Sequence, residues 1–296
     1  MIKNKNSNSM DITRKYLDSL VIEGRILGSV HPSAKCTVLG MEFDTPIMGA
    51  ALSHLKPGMA GYAEGLKLAN AFCSVGMGGN EDLGKVLATG AKVMKVIKPY
   101  ADREKIFSRI RFSEEHGAVA VGIDVEHATN SEDDADSLVA GLQMKQPTLS
   151  ELREYVTSTK LPFFFKGVMS AKDALTAKEI GAAGVILSHH NNIFRCAAPH
   201  VFQLPEIREA VGPDFILIVD GGIEDGYDAF KALARGADLV SVGRPFMPPY
   251  EEKGPEGVAE VVREFTGQLR AMMLRTGSKD LKSIEPSVVR EAYWLS

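Results

Sequence analysis

The stretch "FILIVDGGIEDGYDAFKALARGADLVSVGRPF" (215–246) holds two apolar runs, at 215–222 and 238–243, separated by the amphipathic segment "DAFKALARG" (228–236). Neither run alternates apolar with polar residues, which is how parallel strands covered by helices read. Glycine closes the intervening segment, a usual helix stop. The stretch is therefore a strand, a helix and a second strand, with glycine placed just past each strand in "VDGGI" (219–223) and "VGRPF" (242–246).

Working backward, the same unit recurs. Strand-like pieces lie at "TPIMGA" (45–50), "AFCSV" (71–75), "KVMKVI" (92–97), "AVAVGID" (118–124), "PFFFKG" (162–167) and "GVILS" (184–188), which with the opening pair makes eight. Helical stretches such as "DREKIFSRIRFSEEHG" (102–117) and "SAKDALTAKEIG" (170–181) fall between them, the latter with Ser170 as a cap and Asp173 three residues on. Eight alternations predict an α/β fold, a single-domain (β/α)8 TIM barrel. A doubly wound open sheet would want a glycine fingerprint after its first strand, and "GAALSHLKPG" has none. Residues 1–30 read as an N-terminal segment, partly disordered and then helical, and 31–296 as the barrel with C-terminal helices. The long gap at 124–162 predicts a loop over the barrel mouth.

Composition excludes several classes. The 296 residues are 45% hydrophobic and 24% charged, with a net charge of −4. No basic face or block of Lys and Arg suggests nucleic acid. Cys36, Cys73 and Cys196 show no CxxC spacing, so neither a disulfide framework nor a zinc site is indicated. No apolar run reaches membrane-spanning length, and "MIKNKNSNSM" is polar rather than signal-like. A reduced, cytoplasmic protein is expected.

Barrel chemistry sits at the C-terminal ends of the strands. Here those ends carry Ser53 and His54, Ser74 to Asn80, Lys95 and Lys98, Asp124, Glu126 and His127, Lys166, Ser188 to Asn192, Asp220 to Gly222, and Gly243 with Arg244. The two glycine turns and Arg244 on the last two strands suit a phosphate, unless the glycines only turn the chain and Arg244 pairs with a carboxylate. Lys166 closes an apolar strand and needs an anion, either a ligand or an Asp or Glu of the mouth. Asp124 is placed to hold an imidazole, or else to cap a loop. Of the adjacent His189 and His190, at most one faces the mouth. A metal would need further converging ligands, and none is assigned.

These residues resemble the FMN-dependent α-hydroxy acid oxidases and dehydrogenases. The resemblance runs through "CTVLGMEFDTPIMGAALS" (36–53), "LPFFFKGVMSAKDALTAKEIGAAGVILSHH" (161–190), "ILIVDGGIEDGYDAFKALARGADLVSVGRPF" (216–246) and "RTGSKDLKSI" (275–284). It implies FMN as cofactor and a small-molecule substrate whose hydroxyl proton goes to His190 as hydride goes to flavin N5. Asp124 would stabilise the imidazolium and Lys166 the reduced flavin. Asp220, Gly222, Gly243 and Arg244 would hold the ribityl and phosphate end. Gly49, Ala50, Ala51, Ser74, Lys95 and Ser188 would border the rest of the cofactor. His127, His190 and Arg195 are the candidate substrate contacts, and a homo-oligomer, often a tetramer, is implied. Type 2 isopentenyl diphosphate isomerases share the barrel and flavin site, so a flavin-dependent isomerase, or a barrel that only binds flavin or phosphate, stays open beside the oxidase.

The sequence also departs from the family pattern. Asn191, Asn192 and Ile193 stand where the family has Gly-Gly-x-Arg after its histidine, leaving Arg195 to serve through a shifted loop. Ile97 and Lys95 take the places of a tyrosine and a glutamine, Glu224 that of a phosphate arginine, and Tyr16 is a weak match for the substrate-contacting tyrosine. The usual lactate- or glycolate-type substrate is therefore not expected.

Overall fold

The computed structural model describes residues 8–53, 55–129, 142–190 and 193–292. Helix α1 (Ser9–Ser19) leads into a short strand β1 (Leu20–Ile22), followed by the hairpin of β2 (Cys36–Val38) and β3 (Met41–Phe43). Strands and helices then alternate: β4 (Ile47–Leu52), α2 (Met59–Leu68), β5 (Cys73–Val75), α3 (Asn80–Leu87), β6 (Val93–Ile97), α4 (Arg103–Glu115), β7 (Ala120–Asp124) and α5 (Leu149–Thr157). The alternation continues through β8 (Phe163–Lys166), α6 (Ala171–Glu179), β9 (Gly184–Leu187), α7 (His200–Val211), β10 (Ile216–Asp220), α8 (Gly226–Ala234) and β11 (Leu239–Val242). Helices α9 (Met247–Lys253) and α10 (Pro255–Arg275) and strand β12 (Val289–Glu291) complete it. Strands β4 to β11 are all parallel and close on themselves, β11 pairing with β4, so the fold is a (β/α)8 barrel.

The eight expected strands all form, each trimmed or shifted by a residue or two. Ser170 caps α6 through the Asp173 amide, as its sequence suggested. Helix α8 starts at Gly226, before the expected 228, because the Asp225 carboxylate caps it. The gap at 124–162 is not all loop. Thr148 and Glu151 form a reciprocal capping box that starts α5, while residues 130–141 lie outside the described set.

Side chains of a strand alternate between its faces, and in this barrel the alternation decides the site. Met48, Phe72, Met94, Val96, Ala120, Phe164, Ile186, Ile218 and Leu239 fill the interior, with Val38 and Phe43 of the hairpin packed against them. Their neighbours one residue away, such as Val93, Ile97, Val121, Phe163, Phe165, Val185, Leu187, Leu217, Val219 and Val240, pack in the outer layer with the helices. Continuing the inner row upward gives Lys98, Asp124, Lys166, Ser188, Asp220 and Ser241. Strand register sets Asp124 beside Lys166 and Asp220 beside Ser241.

Helix α1 packs against the loops that follow β9 and β10. Ser9 Oγ donates to Phe194 O at 2.5 Å and accepts from the Ala197 amide at 2.9 Å. Thr13 Oγ1 lies 2.9 Å from His189 Nε2, and Arg14 forks onto Asp228 at 2.6 and 2.9 Å while donating to Gly222 O at 3.0 Å. Gly222 has φ +74°, and a Cβ there would meet the Thr13 methyl at 2.8 Å. Strand β1 pairs antiparallel with β12, Leu20 opposite Glu291. Among the described residues no helix is long and apolar enough to cross a membrane.

Close packing of α8 against α10 yields a stability test. A Cβ on Gly226 would fall 2.1 Å from Phe265 O, a backbone atom that cannot swing aside. Gly226→Ala is expected to lower stability by about 1–3 kcal/mol, read as a drop in the urea midpoint at unchanged slope.

Candidate active site

The inward residues at the strand ends form a hydrogen-bonded cluster. Asp124 Oδ2 lies 3.0 Å from Lys98 Nζ, 3.1 Å from His190 Nδ1 and 3.5 Å from Lys166 Nζ. Lys166 Nζ is also 2.9 Å from His190 Nδ1, donates to Ser188 Oγ at 3.2 Å and lies 3.7 Å from Asp220 Oδ2. Asp220 in turn accepts from Ser188 Oγ at 3.0 Å and Ser241 Oγ at 2.9 Å. Three side chains, Asp124, Lys98 and Lys166, are almost fully shielded from water.

His190 owes its position to an unusual backbone. Its φ of +44° is left-handed, a region histidine enters more often than most residues, and its amide donates to Ser188 Oγ at 3.2 Å. The ring is thereby turned toward Asp124. His190 Nε2 lies 3.0 Å from His127 Nε2, the two rings meeting edge to face. His189 instead is buried and bonded to Thr13, so the histidine pair does split.

Protonation follows from burial and neighbouring charge. Burial works against the Asp124 carboxylate, yet Lys166, Lys98 and His190 outweigh it and hold its pKa well below the usual range. Burial likewise opposes the Lys166 ammonium, but Asp124, Asp220 and Glu126 keep its pKa raised. His190 is lowered by burial and by Lys166, against the pull of Asp124. Burial, then Lys98, pushes His127 down to about 3. Burial pushes Glu126 up to about 8, against the pull of Lys166 and of a backbone hydrogen bond from Phe194.

Beside this cluster lies a cavity of about 550 Å³, within the usual range for a cofactor site. Ala50, Ala51, Lys166, Ser188, His190, Asp220, Gly222, Gly243 and Arg244 line it. Gly221, Glu224 and Ser241 also line it, as do Leu52 and Ser53. Gly221 and Gly222 both have positive φ, and Arg244 is an exposed cation, so these residues could hold an anion. A Cβ on Gly243 would crowd Ala50 and Leu52 at 3.3 Å, and the glycine keeps that wall thin.

Several expected contacts fall elsewhere. Lys95 is on the outer face of β6, one residue out of phase with Val96 and Lys98, and its buried Nζ donates to Gly76 O. Burial, then Arg109, brings its pKa down to about 7. Gly49 is also outward, where a Cβ would strike Tyr62 and Leu66. Ile97 is in the outer layer as well. Ser74 points inward but donates to Gly49 O at 2.7 Å and does not line the cavity. Arg195 is exposed and absent from the cavity wall. The Tyr16 hydroxyl donates to Glu291 at 2.7 Å, away from the cavity. His54, Asn191 and Asn192 lie outside the described residues. The sequence reading assigned no role to Lys98, Glu126 or Ser241. Period-two counting from Val96 would have found Lys98, and counting from Leu239 would have found Ser241.

Residues 126–291 match the family described as FMN-dependent dehydrogenase. The chain belongs to that family. An L-lactate oxidase of Alicycliphilus denitrificans (strain DSM 14773 / CIP 107495 / K601) is 39% identical over 145 residues, 49% of this chain and 40% of that protein. The L-lactate oxidase of Lactobacillus jensenii is 27% identical over 304 residues, 88% of this chain and 72% of that protein. Glycolate oxidase of Spinacia oleracea is 26% identical over 93% of this chain and 85% of its own length. The chain thus spans well under half of the first of these relatives and more of the other two. A mandelate oxidase variant with the monooxide FMN adduct superposes with a TM-score of 0.87 at 23% identity, covering 96% of this chain and 91% of that one. That likeness concerns the fold. Family membership makes FMN the cofactor, and the cavity fits it: Arg244 and the glycine turns suit an anion, and the Lys166 ammonium lines the same wall.

The His127 environment yields a pH test. The unfolded chain binds a proton there near the ordinary value of 6.5, the folded chain only near 3, so the unfolded state holds more protons in that window. Acidification from 6.5 toward 3 therefore favours unfolding. His127→Gln is expected to lose less stability than wild type between those values, measured by urea titrations at stepped pH.

Proposed function

We propose that the chain oxidises a 2-hydroxy acid or a related hydroxy compound, with FMN as the two-electron acceptor. The observation that carries this reading is the convergence of His190, Asp124 and Lys166 at a cavity that Arg244 and two glycine turns also line. Bound FMN supplies the hydride acceptor. His190 takes the substrate hydroxyl proton at Nε2, the nitrogen that His127 now faces at 3.0 Å. His127 thus stands where the substrate hydroxyl arrives, and it either yields that place or shares the proton. Asp124, ionised and 3.1 Å from Nδ1, stabilises the imidazolium that forms. Lys166 supplies positive charge for the reduced flavin, while Ser188 and Asp220 fix its ammonium. Arg244 and the Gly221–Gly222 turn would hold the phosphate of bound FMN, and Ala50, Ala51 and Gly243 line the same cavity.

The same reading places the protein in the cytoplasm as a homo-oligomer. Three free cysteines, one of them exposed, suit a reducing compartment, and the family resemblance supports assembly.

Purified protein loaded with FMN is expected to be yellow and to bleach anaerobically with a productive hydroxy compound. His190→Ala should slow that bleaching by about 10²- to 10⁴-fold while FMN still binds. Arg244→Ala should instead weaken FMN binding, seen as fluorescence released on dilution. Equal bleaching by His190→Ala and wild type would overturn the assignment of the base.

A further inference from the structure

Lys98 is the member of the buried cluster that the proposed reaction leaves without a task. It follows Met94 and Val96 on the inner row of β6, and the pairing of Ile97 with Ile123 brings it level with Asp124. The chain just beyond it is pinned: the Tyr100 amide donates to Lys98 O at 2.9 Å, Ala101 N to Gln143 O at 2.8 Å and Lys145 N to Pro99 O at 2.9 Å. The lysine side chain is 6% exposed, and its Nζ lies 3.0 Å from Asp124 Oδ2.

The Asp124 carboxylate is met on one atom only. Lys98, His190 and Lys166 all approach Oδ2, at 3.0, 3.1 and 3.5 Å, while Oδ1 has no hydrogen-bond partner among the described residues. Lys98 and His190 therefore share a single oxygen. Their nitrogens are no more than about 6 Å apart, close enough in a buried site for two positive charges to repel. The charge count points the same way. Lys98 and Lys166 bring two positive charges, and Asp124 and Asp220 two negative ones. Around them, burial keeps the His127 ring neutral, with a pKa of about 3, and holds the proton on Glu126 to about 8. His189 is turned away onto Thr13. The set is balanced as it stands, so a proton on His190 is an excess charge. Without Lys98 the set would be one charge negative, and the same proton would balance it.

We propose that Lys98 is a positioning residue for the base: its charge, held on the oxygen that His190 also uses, loosens the grip of Asp124 on a protonated ring and keeps His190 ready to take a proton in mildly acidic solution. Lys98 does not line the cavity and acts through Asp124. A counter-ion for the carboxylate is already present, since Lys166 stands 3.5 Å from the same oxygen. Removing Lys98 would act on His190 twice in the same direction, by ending a repulsion and by freeing Oδ2 for Nδ1. This inference rests on the reading of His190 as the proton acceptor.

The test is an NMR titration of the FMN-loaded protein carrying isotope-labelled histidine, the His190 signal being the one lost in His190→Gln. Lys98→Met and Lys98→Gln both remove the charge, and each is expected to raise the His190 midpoint by about one pH unit or more. The acid limb of anaerobic bleaching by lactate or mandelate should rise with it. Below the wild-type midpoint the rate then falls about tenfold for each unit of the shift, while at pH 9 it does not fall. A midpoint unmoved or lowered in both variants overturns the proposal. So does a loss of rate that is equal at every pH, which marks a lysine needed only for structure. A raised midpoint with no bleaching by either acid keeps the Lys98 assignment and sinks the oxidase reading for these acids.

Discussion

Asp124 Oδ2 is the point on which this site depends. A carboxylate removed from water is unfavourable unless its charge is met, and here two ammonium groups and an imidazole meet it within 3.5 Å. The dependence is mutual. Without the carboxylate, Lys98 and Lys166 would be two buried cations close to one another, and His190 would lose the negative charge 3.1 Å from Nδ1. The strand register that sets Asp124 beside Lys166 is thus an electrostatic requirement as much as a consequence of barrel packing.

The same cluster sets the charge state of each of its members. His190 is kept neutral by burial and by Lys166, while Asp124 stays ionised and ready for a positive ring. Lys166 keeps its proton because Asp124 and Asp220 flank it. Carboxylate, imidazole and ammonium each hold the state that the others impose, and removing any one would change the remaining two. Such coupling makes single substitutions here report on the group as a unit, not on one side chain.

Much of this was legible in the residues. Unbroken apolar runs named all eight barrel strands, and polar residues at their ends named Asp124, Lys166, Ser188, His190, Asp220 and Arg244 as neighbours. On the strands, the reading failed by one residue. Lys95 and Lys98 are both lysines near the end of one strand, and only the alternation against Met94 and Val96 tells which points inward. Gly49 looked like a cofactor glycine and is instead a packing glycine beneath Tyr62. Helix α5 was hidden because its cap, Thr148 with Glu151, sits inside a segment read as loop. Arg195 could not be placed from sequence, since a loop shift and an exposed position look alike in one dimension.

Helix α1 and the pairing of β1 with β12 carry a consequence for how the protein comes to be folded. Ser9 and Thr13 hold segments near residues 189–197, Arg14 holds Asp228 and Gly222, and Leu20 pairs with Glu291. These are contacts of very large sequence separation, the kind that form late because long loops must close first. The first helix made thus waits, like the β4–β11 pairing that closes the barrel, for residues far along the chain. Until it docks, the loop bearing His190 lacks its brace and the turn at Gly222 lacks its wall. Closure of the barrel and completion of the mouth around His190 thus both depend on joining the two ends of the chain.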